Sequence, residues 1–143
     1  DYYGVLTQHF RQAHSFEKVI HYLELVGDRE SKNYANEDAI KNYREILEII
    51  TREPLKLKES AKIRKEGTIY QKIAGIDQLI GKWEDGISYA EKAIEKAKSI
   101  DDFELHALSI KTLGRFYKIN KKAGKQYITR FDKYQSFLQY TTK

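Results

Sequence analysis

The sequence predicts an all-α protein built from antiparallel helical hairpins. Apolar residues recur at steps of three and four through most of the chain, Pro54 is its single proline, and no stretch alternates apolar and polar residues as a strand would. The intervals between the periodic runs are only a few residues long. Successive helices are therefore expected to pack side by side in opposite directions.

Local signals set the helix boundaries. The apolar runs at 69–80 and 87–97 are separated by Gly81, and glycine can adopt the left-handed conformation that ends a helix. The aspartate pair at 101–102 and Asn36 each precede another periodic run, where they are suited to N-cap positions. The predicted helices cover about residues 2–13, 16–27, 29–34, 37–51, 56–80, 83–99, 102–118 and 122–140.

The amino-acid composition restricts the cellular compartments and the kinds of chemistry that are expected. The 143 residues contain no cysteine, which excludes disulfides, cysteine-ligated zinc and thiol nucleophiles, and a cytoplasmic location is expected. No apolar run approaches the roughly 20 residues that span a bilayer. Because the sequence begins at Asp1 with neither a methionine nor a signal-like segment, it is expected to be a fragment of a longer chain.

Positive charge is concentrated near the C-terminal end of the sequence. The net charge is +5, but between residues 110 and 133 eight basic residues stand against the single acid Asp132. Such a concentration could attract an acidic peptide, a nucleic acid or an anionic membrane. Tyr117, Tyr127 and Phe131 fit core positions of this region, whereas nucleic-acid binding needs aromatic side chains on the exposed basic face. An acidic protein partner is therefore favoured over nucleic acid.

The middle of the sequence contains an internal repeat. From Gly81 to Ile94 the sequence gives a glycine turn, a tryptophan, two acids, a small residue, and then an aromatic followed by alanines. This order strongly resembles the second helix of a tetratricopeptide repeat. The preceding helix resembles the first helix of that repeat, with Asp77 where the family usually has an aromatic residue. The repeat positions are Tyr70, Ile73, Ala74, Gly81, Trp83, Gly86, Ala90 and Ala93, with Leu113, Gly114 and Tyr117 in the next copy.

The resemblance implies an architecture for the whole chain. It predicts that residues 1–143 form a single tetratricopeptide-like domain, whose antiparallel helical hairpins stack as a right-handed solenoid. The spacing of about forty residues resembles the longer-helix variants of the family, since the common repeat has roughly 34. Small residues at the repeat positions are expected to let neighbouring helices approach closely. The predicted repeats cover about residues 1–27, 28–51 (irregular), 64–99 and 103–140.

A second resemblance concerns residues 21–40. This stretch is similar to the repeat tails that follow the ATPase module in soluble adenylyl cyclases and related signalling ATPases. It leaves open the alternative that the segment is the regulatory C-terminal tail of a soluble adenylyl or guanylyl cyclase or a signalling ATPase. The sequence itself contains neither Gly-x-x-x-x-Gly-Lys nor Gly-x-Gly-x-x-Gly, so no nucleotide-binding loop is expected in it.

The candidate binding residues lie on predicted first helices. Lys111, Arg115 and Lys118 are spaced i, i+4 and i+7, so they share one helical face. The resemblance implies that this face lines a concave groove, where related proteins clamp the carboxylates of a peptide. Gln71 and Gln78 would occupy the matching face one repeat earlier, and Arg11 two repeats earlier. The usual clamp asparagine is missing, and an ordinary solvated face is the alternative interpretation of these charges.

The remaining polar residues give no catalytic pattern. The four histidines are not spaced to place two on one helical face beside a carboxylate, and they are expected at surface or boundary positions. The aspartates at 101–102 diverge on a helix, so capping accounts for them better than acid–base chemistry. No cofactor or metal is expected. The sequence thus predicts a non-catalytic interaction or scaffold module that binds a peptide or a neighbouring domain; its oligomeric state is left open.

Overall fold

The computed structural model describes residues 2–119, and all regular structure in that range is helical. The all-α prediction is therefore confirmed for this part of the chain. The helix predicted at 122–140 lies outside the described residues, as do Tyr127 and Phe131. The six helices are α1 (Tyr2–Gln12), α2 (Phe16–Lys32), α3 (Asn36–Arg52), α4 (Glu59–Ile80), α5 (Trp83–Ser99) and α6 (Phe103–Ile119).

Helix α2 corrects one predicted boundary. A break after Gly27 and a separate short helix at 29–34 are wrong, because α2 continues without interruption to Lys32. A Cβ atom on Gly27 would stand 2.7 Å from Cε1 of Tyr43, so the glycine serves close packing between α2 and α3. The Tyr43 hydroxyl donates a 2.6 Å hydrogen bond to Oδ1 of Asp28. Burial and then this carboxylate raise the pKa of Tyr43 above its usual range.

The two predicted N-caps have different outcomes. Asn36 is the first residue of α3 and Ala35 occupies the cap, with no side-chain hydrogen bond to the helix, so that prediction is wrong by one position. Asp102 does precede α6, and its Oδ1 accepts a 3.0 Å hydrogen bond from the backbone N–H of Leu105. This is the bond of a side-chain N-cap, which confirms the second prediction.

Four helix connections share one backbone geometry. Each contains one residue with positive φ, and the N–H of the next residue bonds to a carbonyl five positions earlier at 2.9 Å, as in a Schellman motif. At Gly81 φ is 77°, which confirms the left-handed turn predicted there. The other three positive-φ residues are His14 (53°), Tyr34 (60°) and Asp101 (54°). The four bonds are Ser15 to Phe10, Ala35 to Glu30, Lys82 to Asp77 and Asp102 to Ala97.

The chain divides into two compact units, Asp1–Lys62 and Ile63–Lys143. In unit 1, α2 packs against both α1 and α3. Phe10 of α1 stacks on Tyr22 of α2, with ring centroids 5.6 Å apart and planes 5° from parallel. After α3, the N–H of Lys56 donates to Glu17 of α2 and holds the pKa of that carboxyl below its usual value. The buried apolar residues of this unit are Val19, Ile20, Leu23, Ala39, Ile40, Tyr43, Ile46, Ile49 and Ile50.

Unit 2 contains most of α4 together with α5 and α6. Phe116 of α6 packs edge-on against Trp83 of α5, with ring centroids 5.8 Å apart. A Cβ atom on Gly86 would stand 2.2 Å from Cζ of Phe116, so this glycine makes room for the ring. A core cluster of buried residues in this unit is formed by Ala74, Ile87, Ala90, Ile94, Ile110, Leu113, Phe116 and Tyr117.

The predicted repeat positions all lie in unit 2, and most are buried. Asp77, which replaces the aromatic residue expected there, is also buried, and its Cβ lies against the Gly86 position. Gly81 is exposed in its turn, and Tyr70 and Trp83 are partly buried. The buried repeat positions are Ile73, Ala74, Gly86, Ala90, Ala93, Leu113, Gly114 and Tyr117.

The two units share one register. Their positive-φ residues are twenty positions apart in both, at 14 and 34 in unit 1 and at 81 and 101 in unit 2. In both units the second and third helices have 17 residues each. Counting from these turns, α1 corresponds to α4, α2 to α5 and α3 to α6. Within residues 2–119, no helix combines the length and the apolar character needed to cross a membrane.

Candidate functional site

The candidate site is the outer face of α6. Lys111, Arg115 and Lys118, which their spacing places on one helical face, are all exposed, and we call these three residues the basic strip. Thr112, Leu113, Phe116 and Tyr117 lie between them in sequence and point into unit 2. No ion pair joins the basic strip to another residue of the range 2–119. Its three positive charges are therefore not neutralised within the part of the chain that the structure describes.

Helix α4 runs beside α6 in the same direction. Nε2 of Gln71 donates a 2.9 Å hydrogen bond to Oγ1 of Thr112, whose hydroxyl in turn donates to the Leu108 carbonyl at 3.2 Å. Nearer the start of both helices, Nε of Arg64 lies 2.8 Å from Oδ2 of Asp102. The structure thus brings Gln71 next to the helix that carries the basic strip. Gln78 lies two turns further along α4 and is partly buried.

Arg11 belongs to unit 1, where it has a partner of its own. Its guanidinium forms a hydrogen-bonded ion pair with the carboxylate of Glu45 on α3. By the shared register, Arg11 and Glu45 correspond to Gln78 and Thr112 of unit 2. The third helix of each unit therefore uses the same position to bond to the first helix. Arg11 is thus engaged within unit 1 by an ion pair to the third helix.

One residue of this face was missed at the sequence level. Leu108 is 49% exposed and lies three residues before Lys111 and seven before Arg115, on the same side of α6. Its spacing could have identified it, because an apolar residue at i−3 and i−7 from two surface cations interrupts an otherwise polar face. The outer face of α6 therefore offers apolar contact as well as positive charge.

The histidines divide into exposed and buried positions. His9, His14 and His21 are exposed, as expected. His106 is only 3% exposed, which corrects the prediction of a surface or boundary position for it. Burial, and secondarily the nearby Lys98 ammonium, lowers the pKa of His106 below its usual value. Its burial reflects the inward face of α6, a fact that spacing between histidines does not reveal.

The aspartate pair at the α5–α6 turn is structural. Asp102 caps α6 and pairs with Arg64, and these hydrogen bonds lower the pKa of its carboxyl. A cleft of about 120 Å³ opens beside it, well below the ~300 Å³ at which small-molecule pockets begin. Among residues 2–119, no group of three potential metal ligands comes together. The cleft is lined by Ala97, Lys98, Asp101, Asp102, Phe103 and His106.

The sequence was also compared with known proteins. No family model matches it, and no curated protein matches it.

Proposed function

We propose that this chain is a tetratricopeptide-like interaction module, with helical hairpins stacked as a right-handed solenoid, which binds an acidic peptide segment or a neighbouring domain. The contact surface is the outer face of α6. The observation that carries the proposal is the basic strip: three exposed cations on one helical face, with no ion pair to any other described residue. A carboxylate-bearing partner would supply the missing counter-charges.

The surroundings of the strip support a binding role. Helix α6 is packed from beneath, since Leu113 and Phe116 are fully buried and Asp102 caps its start. A surface that is already ordered before binding reduces the ordering entropy that a partner must overcome. Leu108 adds an apolar contact that does not weaken with salt, whereas the ion pairs supply orientation and a faster encounter.

Charge reversal tests the proposal directly. The probe is a short fluorescein-labelled peptide rich in Glu and Leu, and its binding is followed by fluorescence anisotropy at low and moderate salt. The triple variant Lys111→Glu, Arg115→Glu, Lys118→Glu should bind at least about tenfold more weakly, because three exposed pairs of ~0.2–1 kcal/mol each are lost and replaced by repulsion. The matched control is Lys41→Glu, Arg44→Glu, Arg52→Glu, which reverses three exposed cations on α3.

The outcomes separate a binding face from a solvated one. The control variant should bind like the wild type, and both triple variants should keep the helical circular dichroism of the wild type. Equal weakening by the two triple variants, or a wild type that does not bind the peptide, would overturn the proposal.

A further inference from the structure

Gly75 in α4 differs from the other helical glycines whose surroundings the structure describes. A Cβ atom on Gly27 or Gly86 would collide with an aromatic ring, and one on Gly67 would stand 2.9 Å from Cδ2 of Leu105. Those three glycines all lie in close internal contacts. At Gly75, the Cβ position would have no neighbour within 4 Å among the described residues, apart from the adjacent backbone of α4 itself.

An unneeded glycine inside a helix is unfavourable. Gly75 lies well inside the 22-residue α4, where glycine lowers helix stability relative to alanine because its unfolded backbone is freer. The position is partly buried and not in a turn. Close approach of another backbone is a further circumstance in which a glycine is required, and the described residues supply no such backbone here.

The alignment of α4 with α6 places Gly75 beside the basic strip. The contacts from Arg64 to Asp102 and from Gln71 to Thr112 advance along both helices together. Gly75 is one turn beyond Gln71, and Arg115 is three residues beyond Thr112. Gly75 therefore lies at the level of Arg115, on the α4 surface that borders the strip.

The positive charge of the basic strip indicates which kind of chain lies against Gly75. Residues 120–143 of the same chain contain six basic residues against one acid, so their net charge has the same sign as the basic strip and does not complement it. An acidic segment of another protein has the complementary charge. Two exposed leucines add apolar contacts along the same surface: Leu79, one turn beyond Gly75 and 70% exposed, and Leu108 on α6.

We infer that the partner is an acidic peptide segment of another protein whose main chain lies directly against α4 at Gly75, with its carboxylates directed to the basic strip. This inference rests on the proposed function and adds the position and closeness of the contact. It has an unusual consequence. A side chain at position 75 stabilises the free protein and weakens the complex.

The experiment compares Gly75→Ala and Gly75→Gln with the wild type, using the same Glu- and Leu-rich peptide. Gly75→Ala should raise the melting temperature by about 3–8 °C, since the added methyl group meets open space and favours the helix. It should also weaken peptide binding by at least about fivefold, and Gly75→Gln by more, because added atoms overpack the contact. Ser88→Gln, at an exposed site on α5, is the control and should leave binding unchanged.

Each result bears on one of the two proposals. If charge reversal of the strip abolishes peptide binding but both Gly75 variants bind normally, the contact at Gly75 is overturned and the proposed function stands. A fall in melting temperature for Gly75→Ala also overturns the inference, because the space would then be occupied. Binding of a single-stranded oligonucleotide in place of the peptide, or concentration-dependent dimerisation that Gly75→Gln abolishes, would replace the acidic peptide by another occupant.

Discussion

Units 1 and 2 use the same turns and the same helix lengths but fill the space between their second and third helices differently. In unit 1 the large ring is Tyr43, and it packs over Gly27. In unit 2 the corresponding residues are Ile110 and Ile94. The large ring of unit 2 is Phe116, which packs over Gly86. These two residues correspond to Ile49 and Val19 of unit 1. Each unit pairs one aromatic ring with one glycine, but at opposite ends of the helix pair. The combined volume of two facing residues is therefore constrained more strongly than the identity of either residue.

The largest expected effect on stability comes from placing the unit 1 residues at the corresponding positions of unit 2. Gly86→Val should destabilise the protein by roughly 3 kcal/mol, because even a Cβ atom there would overlap the Phe116 ring. Adding Phe116→Ile recreates the Val19 and Ile49 combination and should recover most of the loss. Urea unfolding followed by circular dichroism measures both variants. If the double variant is as unstable as the single one, the two units do not share the register described here.

The reverse exchange should have a smaller effect. Gly27→Ala places a Cβ atom 2.7 Å from Cε1 of Tyr43, but alanine also favours the helix. The net cost should be about 1–2 kcal/mol, since the two terms partly offset each other. Gly27→Ile combined with Tyr43→Ile copies Ile94 and Ile110 and should be more stable than Gly27→Ile alone. The same unfolding experiment checks the order, and a stabilised Gly27→Ala would contradict the close packing of α2 and α3.

The smallest effect concerns the caps of α3 and α6. Asp102→Ala should cost about 1 kcal/mol at neutral pH, and Ala35→Asp should stabilise unit 1 by a similar or smaller amount. Because hydrogen bonds lower the pKa of Asp102 in the fold, its contribution is fully present above its unfolded pKa and is lost as pH falls through the folded value. Melting curves of wild type and Asp102→Ala should therefore converge in acid. A difference that persists at low pH would show that the carboxylate charge is not the source.

Sequence patterns predicted the helices better than their ends. The periodic runs located all six helices of residues 2–119, and Gly81 and Asp102 were assigned the roles that the structure shows. Gly27 was mistaken for a helix end because a glycine followed by a polar residue is found both at helix ends and at close contacts between helices. Its role depends on Tyr43, sixteen positions away, whose ring needs the space. His14, Tyr34 and Asp101 adopt positive φ although they are not glycines, so composition did not predict their left-handed conformation, even though the predicted helix boundaries fall beside them.

The candidate site was predictable in part. The spacing of Lys111, Arg115 and Lys118 placed them on one face, and the structure exposes all three. Arg11 could not be assigned from spacing, because its ion pair with Glu45 joins residues that are distant in sequence. Leu108 and Gly75 gain meaning only from what surrounds them, since exposure and empty space are properties of the packed molecule.

The sequence by itself determined that residues 2–119 are helical, where the four turns with positive φ fall to within a few residues, and which face of α6 carries charge. Each of these follows from local periodicity and backbone preference. The tertiary structure decided which glycines are in close contact with a neighbouring side chain and which has open space at its Cβ position. It also decided which histidine is buried and which arginine forms an ion pair. Those outcomes depend on contacts between residues far apart in the chain, where the volume and charge of one helix set what its neighbour can accommodate.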